Sequence, residues 1–111
     1  MKNPKFLIFT GKDKQFYFRL TAANGEPILA SEGYKAKSGC KNGIASVKKN
    51  SKKISQYKLL TAKNGQFYFN LIAGNNQVIG KSETYKSEQG RENGIKSVKS
   101  NAPGAPIEDA S

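Results

Sequence analysis

The chain has no histidine, no tryptophan and a single cysteine among its 111 residues. Without histidine, the commonest general base is missing, and so are the usual serine and cysteine triads and most transition-metal sites. One thiol, Cys40, cannot form an internal disulfide framework, and such cysteine usage fits a reducing cytoplasm. Long hydrophobic runs are absent as well. Phe6-Leu7-Ile8-Phe9 is far too short for a signal-peptide core or a membrane span, so no secretory signal is visible. Acidic residues are scarce: 8 Asp+Glu stand against 19 Lys+Arg, a formal net charge of +11. That excess attracts polyanions, or else forms a solvated lysine surface. Arg19 and Arg91 are the only arginines, which weakens the case for bidentate phosphate or guanine recognition.

What the chain does have is the same unit written twice. Residues 5–50 recur as residues 56–101 at a constant offset of 51, without a gap. Gln15-Phe16-Tyr17-Phe18 matches Gln66-Phe67-Tyr68-Phe69, and Asn24, Ile28, Ser31, Glu32 and Tyr34 match Asn75, Ile79, Ser82, Glu83 and Tyr85. Asn42-Gly43-Ile44 and Ser46-Val47-Lys48 return as Asn93-Gly94-Ile95 and Ser97-Val98-Lys99. Duplication explains this density of identity. A unit of about 50 residues buries too little apolar surface to be comfortable alone, so the copies are expected to share one core.

Each copy opens with a short apolar run, Phe6–Phe9 or Tyr57–Leu60, followed by turn residues. Strict alternation comes next: Phe16, Phe18 and Leu20 point one way, Tyr17 and Arg19 the other, which is the period of a half-buried strand. Asn24-Gly25 and Asn75-Asn76 tolerate positive φ and predict hairpins into third strands around Ile28-Leu29-Ala30 and Val78-Ile79-Gly80. The period then lengthens. Cys40, Ile44 and Val47 share one helical face, Ile95 and Val98 share its counterpart, and Ser87 is placed to cap the second helix. Gly43 and Gly94 inside these helices cost roughly 1 kcal/mol each relative to alanine, which implies close approach of helix and sheet. Asn50 and Asn101 mark the helix ends.

The fold class that follows is α+β. Tandem β3-α(-β) repeats form one antiparallel sheet, with two helices packed on one face and a pseudo-two-fold relation between the copies. The expected organisation is a single domain, residues 1–111, made of repeats 5–50 and 56–101. Residues 102–111 form a short edge strand and a flexible tail. Lys52 to Gln56 runs without a linker into the second copy, so one longer strand over residues 52–62 is expected to serve both halves.

The pattern Gln-Phe-Tyr-Phe, Asn-Gly or Asn-Asn, Ser-Glu-x-Tyr and Asn-Gly-Ile-x-Ser-Val-Lys-x-Asn resembles the YegP-like family of UPF0339-type bacterial proteins of unknown function. The resemblance covers nearly the whole chain and both copies. It implies β3-α-β units in one sheet with C-terminal strands exchanged between units, in single-unit members that dimerise or in tandem pairs. It implies no catalytic or ligand-binding residues. Asn76 in place of Gly25, and Arg91 in place of Cys40, are departures between the copies that leave this fold intact.

Few residues carry the marks of a reactive site. Cys40 lies on an apolar helix face without a histidine partner, which reads as a buried structural thiol and not a nucleophile. Glu32 and Glu83 are repeat-equivalent, so a two-fold sheet could pair them as acid and base or as metal ligands. The favoured alternative is that each Ser-Glu pair caps or salt-bridges the turn entering its helix. The glycines match neither the dinucleotide nor the P-loop spacing, and the helices carry too narrow an apolar stripe to enter a membrane. No catalytic residue, cofactor or metal site is expected.

The one positive lead is a basic, aromatic surface. Tyr17, Arg19 and Tyr68 lie opposite the phenylalanines on their strands, and Lys35, Lys37, Lys41, Lys48, Lys49, Lys52 and Lys53 form a basic stretch around the first helix. Aromatic platforms in a positive field stack on single-stranded bases, whereas the bland alternative is cross-strand tyrosine pairs and a solvated lysine face. The function expected is a small, non-catalytic binding or interaction module of unknown role in the cytoplasm, monomeric as a fused pseudo-dimer. The alternative is binding of single-stranded nucleic acid or another polyanion through the tyrosine-bearing sheet face.

Overall fold

The computed structural model describes residues 3–111. The first copy supplies β1 (Lys5–Thr10), β2 (Phe16–Thr21), β3 (Pro27–Ala30) and α1 (Lys37–Asn50). The second supplies β4 (Tyr57–Thr61), β5 (Phe67–Ile72), β6 (Val78–Lys81) and α2 (Glu88–Asn101), and β7 (Ile107–Asp109) ends the chain. A 3-10 turn at Ile54–Gln56 separates the copies.

Among the described residues seven strands form one sheet, in the order β4-β5-β6-β3-β2-β1-β7. Alternation decides which side is covered. Phe18 and Leu20 on β2, and Phe69 and Leu71 on β5, are 0% exposed, whereas Arg19 between the first two is exposed. Burying one such phenylalanine contributes roughly 1.5–3 kcal/mol. Both helices pack on this phenylalanine side. α1 contacts β2 and reaches β5 and β6, while α2 contacts β5 and reaches β3. Each helix therefore rests partly on strands of the other copy, and nearly all the buried apolar side chains make one continuous cluster.

The repeated motifs have visible work. Ser31 and Ser82 hydroxyls accept from the Phe18 and Phe69 N–H groups and donate to the Glu32 and Glu83 carbonyls, continuing the ladder where β3 and β6 leave the sheet. Asn50 and Asn101 amides donate back to the Ser46 and Ser97 carbonyls, closing the last helical turns. Ser87 accepts from the Gly90 N–H as the α2 cap, while Ala36 before α1 offers no side-chain cap. At Gly43 and Gly94 the approach is made by an aromatic ring and not by sheet backbone. A Cβ there would collide with the Tyr34 or Tyr85 hydroxyl.

Two expectations are corrected. The sheet is mixed, because β7 runs parallel to β1, with Ile107 opposite Phe6 and Asp109 opposite Ile8. Strand exchange is also one-sided. β7 crosses from α2 to β1, but the segment after α1 turns through the 3-10 residues into β4, which among the described residues pairs with β5 alone. No long strand over residues 52–62 serves both halves, because Lys52 lies in a turn and strand geometry begins only at Tyr57.

Candidate functional site

Strand register builds the helix-free face of the sheet. Arg19 stands opposite Leu7 on one side and Ala30 on the other. Ala30 meets Lys81, Lys81 meets Asn70, and Asn70 meets Lys58. One row of directly paired residues thus crosses from β1 to β4 and carries three cations, Arg19, Lys81 and Lys58, two strands apart. Strands lie about 4.8 Å apart, so neighbouring cations are about 10 Å apart at the backbone. All three side chains are exposed. Asn70 sits between Lys81 and Lys58, and its Oδ1 has no hydrogen-bond partner among the described residues.

The aromatic residues flank this row and are already engaged. Tyr17 stacks on Phe9 at a centroid distance of 5.7 Å, and the Arg19 guanidinium lies 5.0 Å from the centre of the same Phe9 ring. Tyr17 donates its hydroxyl to Asp13 Oδ2 at 2.6 Å. That bond raises the phenol pKa and, together with the Gln15 N–H, holds the Asp13 carboxyl below its usual range. Tyr68 lies beneath the Lys81 ammonium, 5.1 Å from the ring centre. Both tyrosines are half-buried, Tyr17 against the Phe9 ring and Tyr68 beneath Lys81, so neither ring is a bare stacking platform.

A cleft of about 430 Å³ opens at the middle of the sheet, lined among others by Tyr17, Ser31, Glu32, Lys81, Glu83 and Thr84. The repeat-equivalent carboxylates Glu32 and Glu83 therefore share one cleft. Neither, among the described residues, takes a salt bridge to the turn that enters its helix; each exposes its side chain while its backbone carbonyl accepts from the preceding serine. Among the described residues no three His, Cys, Asp or Glu side chains come together as a metal site. Cys40 is fully buried, and burial pushes its thiol pKa up. This suits packing and opposes nucleophilic use.

The predicted polyanion set is divided by the sheet. Tyr17, Arg19 and Tyr68 lie on the helix-free face, but the lysines of the first helix are carried on the other side. Lys48 extends over the Phe6 ring, and Lys37 pairs with Asp109 at 3.0 Å. Lys41, Lys49, Lys52 and Lys53 are exposed on or just beyond α1, and Lys35 is exposed on the loop before it. Sequence reasoning missed Lys58 and Lys81, which complete the row with Arg19. Alternation in Tyr57-Lys58-Leu59 signals the face of Lys58, but which residues stand beside one another depends on register between strands distant in sequence.

The profile of the family described as "domain of unknown function (DUF1508)" matches residues 12–55 and 62–109. A UPF0339 protein in the ptx operon 5′ region of Stutzerimonas stutzeri is 52% identical, with 92% of each chain covered. UPF0339 protein YegP of Escherichia coli strain K12 is 48% identical over 94% of each. The solution NMR structure of the E. coli protein of unknown function yegP superposes with a TM-score of 0.92 at 45% identity, covering 99% of this chain and 95% of that one. A UPF0339 protein from Shewanella oneidensis, also solved by NMR, gives 0.89 at 47% identity over 95% and 89%.

Proposed function

Because this chain belongs to the DUF1508 family of UPF0339 proteins, a family of unknown function, we propose that it is a non-catalytic cytoplasmic module that acts by binding, through the helix-free face of its sheet. The observation that carries this reading is the Arg19–Ala30–Lys81–Asn70–Lys58 row. Three exposed cations at regular spacing on a rigid sheet, flanked by Tyr17 and Tyr68, make a surface for an extended anion. Rigid strands hold such groups better than loops do. Against catalysis stands the missing histidine, the commonest general base.

The same row favours one ligand class, single-stranded nucleic acid or another polyanion, contacted by Tyr17, Arg19 and Tyr68 together with Lys58 and Lys81. The α1 lysines on the opposite side add to long-range attraction only. The test is retardation of a labelled single-stranded oligonucleotide at low salt. Affinity of about micromolar strength is expected, falling steeply as salt rises and weakening in Lys81→Glu. No retardation would remove the anion reading. Turnover in a substrate screen that is lost in Glu32→Gln or Glu83→Gln would overturn the non-catalytic one.

A further inference from the structure

The two outer strands of the repeats meet very different fates. Ile8 on β1 is 0% exposed, but Leu59, its counterpart at the offset of 51, is 57% exposed on β4. The difference is β7. It lies along β1, and its neighbours complete the pairing: the Phe6 N–H donates to Pro106 O and the Ala110 N–H donates to Ile8 O, both at 2.8 Å. Ala105, just before it, is 0% exposed; Ile54, which holds the same place after α1, is 63% exposed. Among the described residues, β4 has β5 on one side and no strand on the other. Beside it opens a groove of about 460 Å³ lined by Ile54, Tyr57, Leu59, Ile95, Lys96 and Lys99, with Glu92.

We infer that the free edge of β4 receives an extended segment of a partner protein as an eighth strand, parallel to β4, as β7 lies on β1. Edge strands with unpaired backbone groups are templates for such addition, with pockets for alternate side chains setting specificity. The molecule supplies the register. Ile107 stands opposite Phe6, Glu108 opposite Leu7 and Asp109 opposite Ile8. Carried over by 51 residues, these positions face Tyr57, Lys58 and Leu59. The segment therefore has an apolar side chain at the first and third positions, over the Tyr57–Leu59 groove. At the second it has an acid beside exposed Lys58 on the opposite face.

Charge disfavours the chain's own tail at this place. On β1, Glu108 pairs with Lys5 and Asp109 with Lys37. On β4, Gln56 replaces Lys5 and Glu88 replaces Lys37, so a second copy would set Asp109 near a like charge. The net charge of +11 on each copy opposes self-pairing further. Lys58 itself blunts the edge against basic strands while leaving it open to an acidic one.

The test uses the full chain and a synthetic peptide copying residues 103–111 with Asp109→Val, followed by backbone amide shifts. Saturable shifts are expected at residues 58–61 and at Ile95, with binding about ten-fold weaker to Leu59→Lys, a change at an exposed site that leaves the fold intact. The peptide with Asp109 unchanged is expected to bind more weakly than the valine form. Three outcomes would each overturn the inference: no shift on β4 at millimolar peptide, shifts confined to β1 as the peptide displaces β7, or concentration-dependent dimerisation that Leu59→Lys abolishes.

Discussion

The Leu29 side chain lies over Gly80, so that a Cβ built on Gly80 would stand 2.6 Å from both Cγ and Cδ2 of Leu29. The two residues hold the same position in the two copies, on β3 and β6, which are neighbours at the centre of the sheet. Leu29 is 1% exposed. Only one large side chain fits this contact, and the first copy provides it. The sequences of the copies diverge here because close-packed interiors do not admit a second isobutyl group.

Gly80→Ala is therefore expected to destabilise the protein by about 1–3 kcal/mol, the usual cost of overpacking. Leu29→Ala alone is expected to cost about 2–5 kcal/mol through the cavity it leaves. Because the added methyl enters that cavity, the double variant should lose less than the sum of the two. Urea denaturation of the three variants gives the coupling energy, and strict additivity would show that the contact is not shared.

A second steric pair gives an inverted helix-propensity result. In an ordinary exposed helix, glycine to alanine stabilises by about 1 kcal/mol. Gly43 lies beneath the Tyr34 hydroxyl and close to Phe18, so Gly43→Ala is expected to lower the melting temperature. Adding Tyr34→Phe removes the colliding oxygen and should recover part of the loss. Gly94 and Tyr85 offer the same measurement in the second copy.

Cys40 should be unreactive in the folded protein. It is 0% exposed and its thiol pKa is raised by burial, so little thiolate exists at neutral pH. A disulfide reagent added to native protein is expected to release colour only as fast as the chain opens. In denaturant the same thiol should react at once. Rapid reaction of the native form would show that the α1 face is not packed as described.

The docking of β7 should weaken in acid. The Glu108 carboxyl is held below its usual range by the hydrogen bond from Lys5, and that of Asp109 by the Ser111 hydroxyl and then Lys37. Groups with depressed folded pKa values contribute fully above the ordinary carboxylate range, about pH 4, and lose that contribution as pH falls through the depressed values. Amide exchange of Phe6 and Ala110, whose N–H groups bond across the β1–β7 junction, is expected to be steady from neutral pH down to about pH 5 once corrected for the intrinsic pH dependence of exchange. Below about pH 4 it should quicken relative to the amides of β2 and β5. Asp109→Asn should flatten the profile, and pH-independent protection would show that the ion pairs hold nothing.

Much of the fold was legible because it is written in local periods. Phe16, Phe18 and Leu20 alternate, Cys40, Ile44 and Val47 return at helical spacing, and Ser87 and Asn101 mark the ends of α2 where expected. The face bearing Tyr17 and Arg19 was legible for the same reason. The Arg19–Lys81–Lys58 row was not, since it joins strands whose pairing is set by distant contacts. Nor was the separation of the α1 lysines from the tyrosines, which follows from which side of the sheet α1 covers.

By itself, then, the sequence determined the composition of each unit, three strands and a helix, and the side chains each strand turns inward. Backbone geometry converts residue spacing into direction without help from the rest of the chain. Tertiary structure alone decided that β7 crosses to β1 in parallel while β4 keeps an open edge. The segments after α1 and α2 hold equivalent positions yet part company. One is tied by covalent continuity to β5 through its hairpin, and the other is free to satisfy the Phe6 and Ile8 peptide groups, Lys5 and Lys37. Edge occupancy is a competition among distant segments for the same hydrogen bonds, and no local spacing encodes its winner.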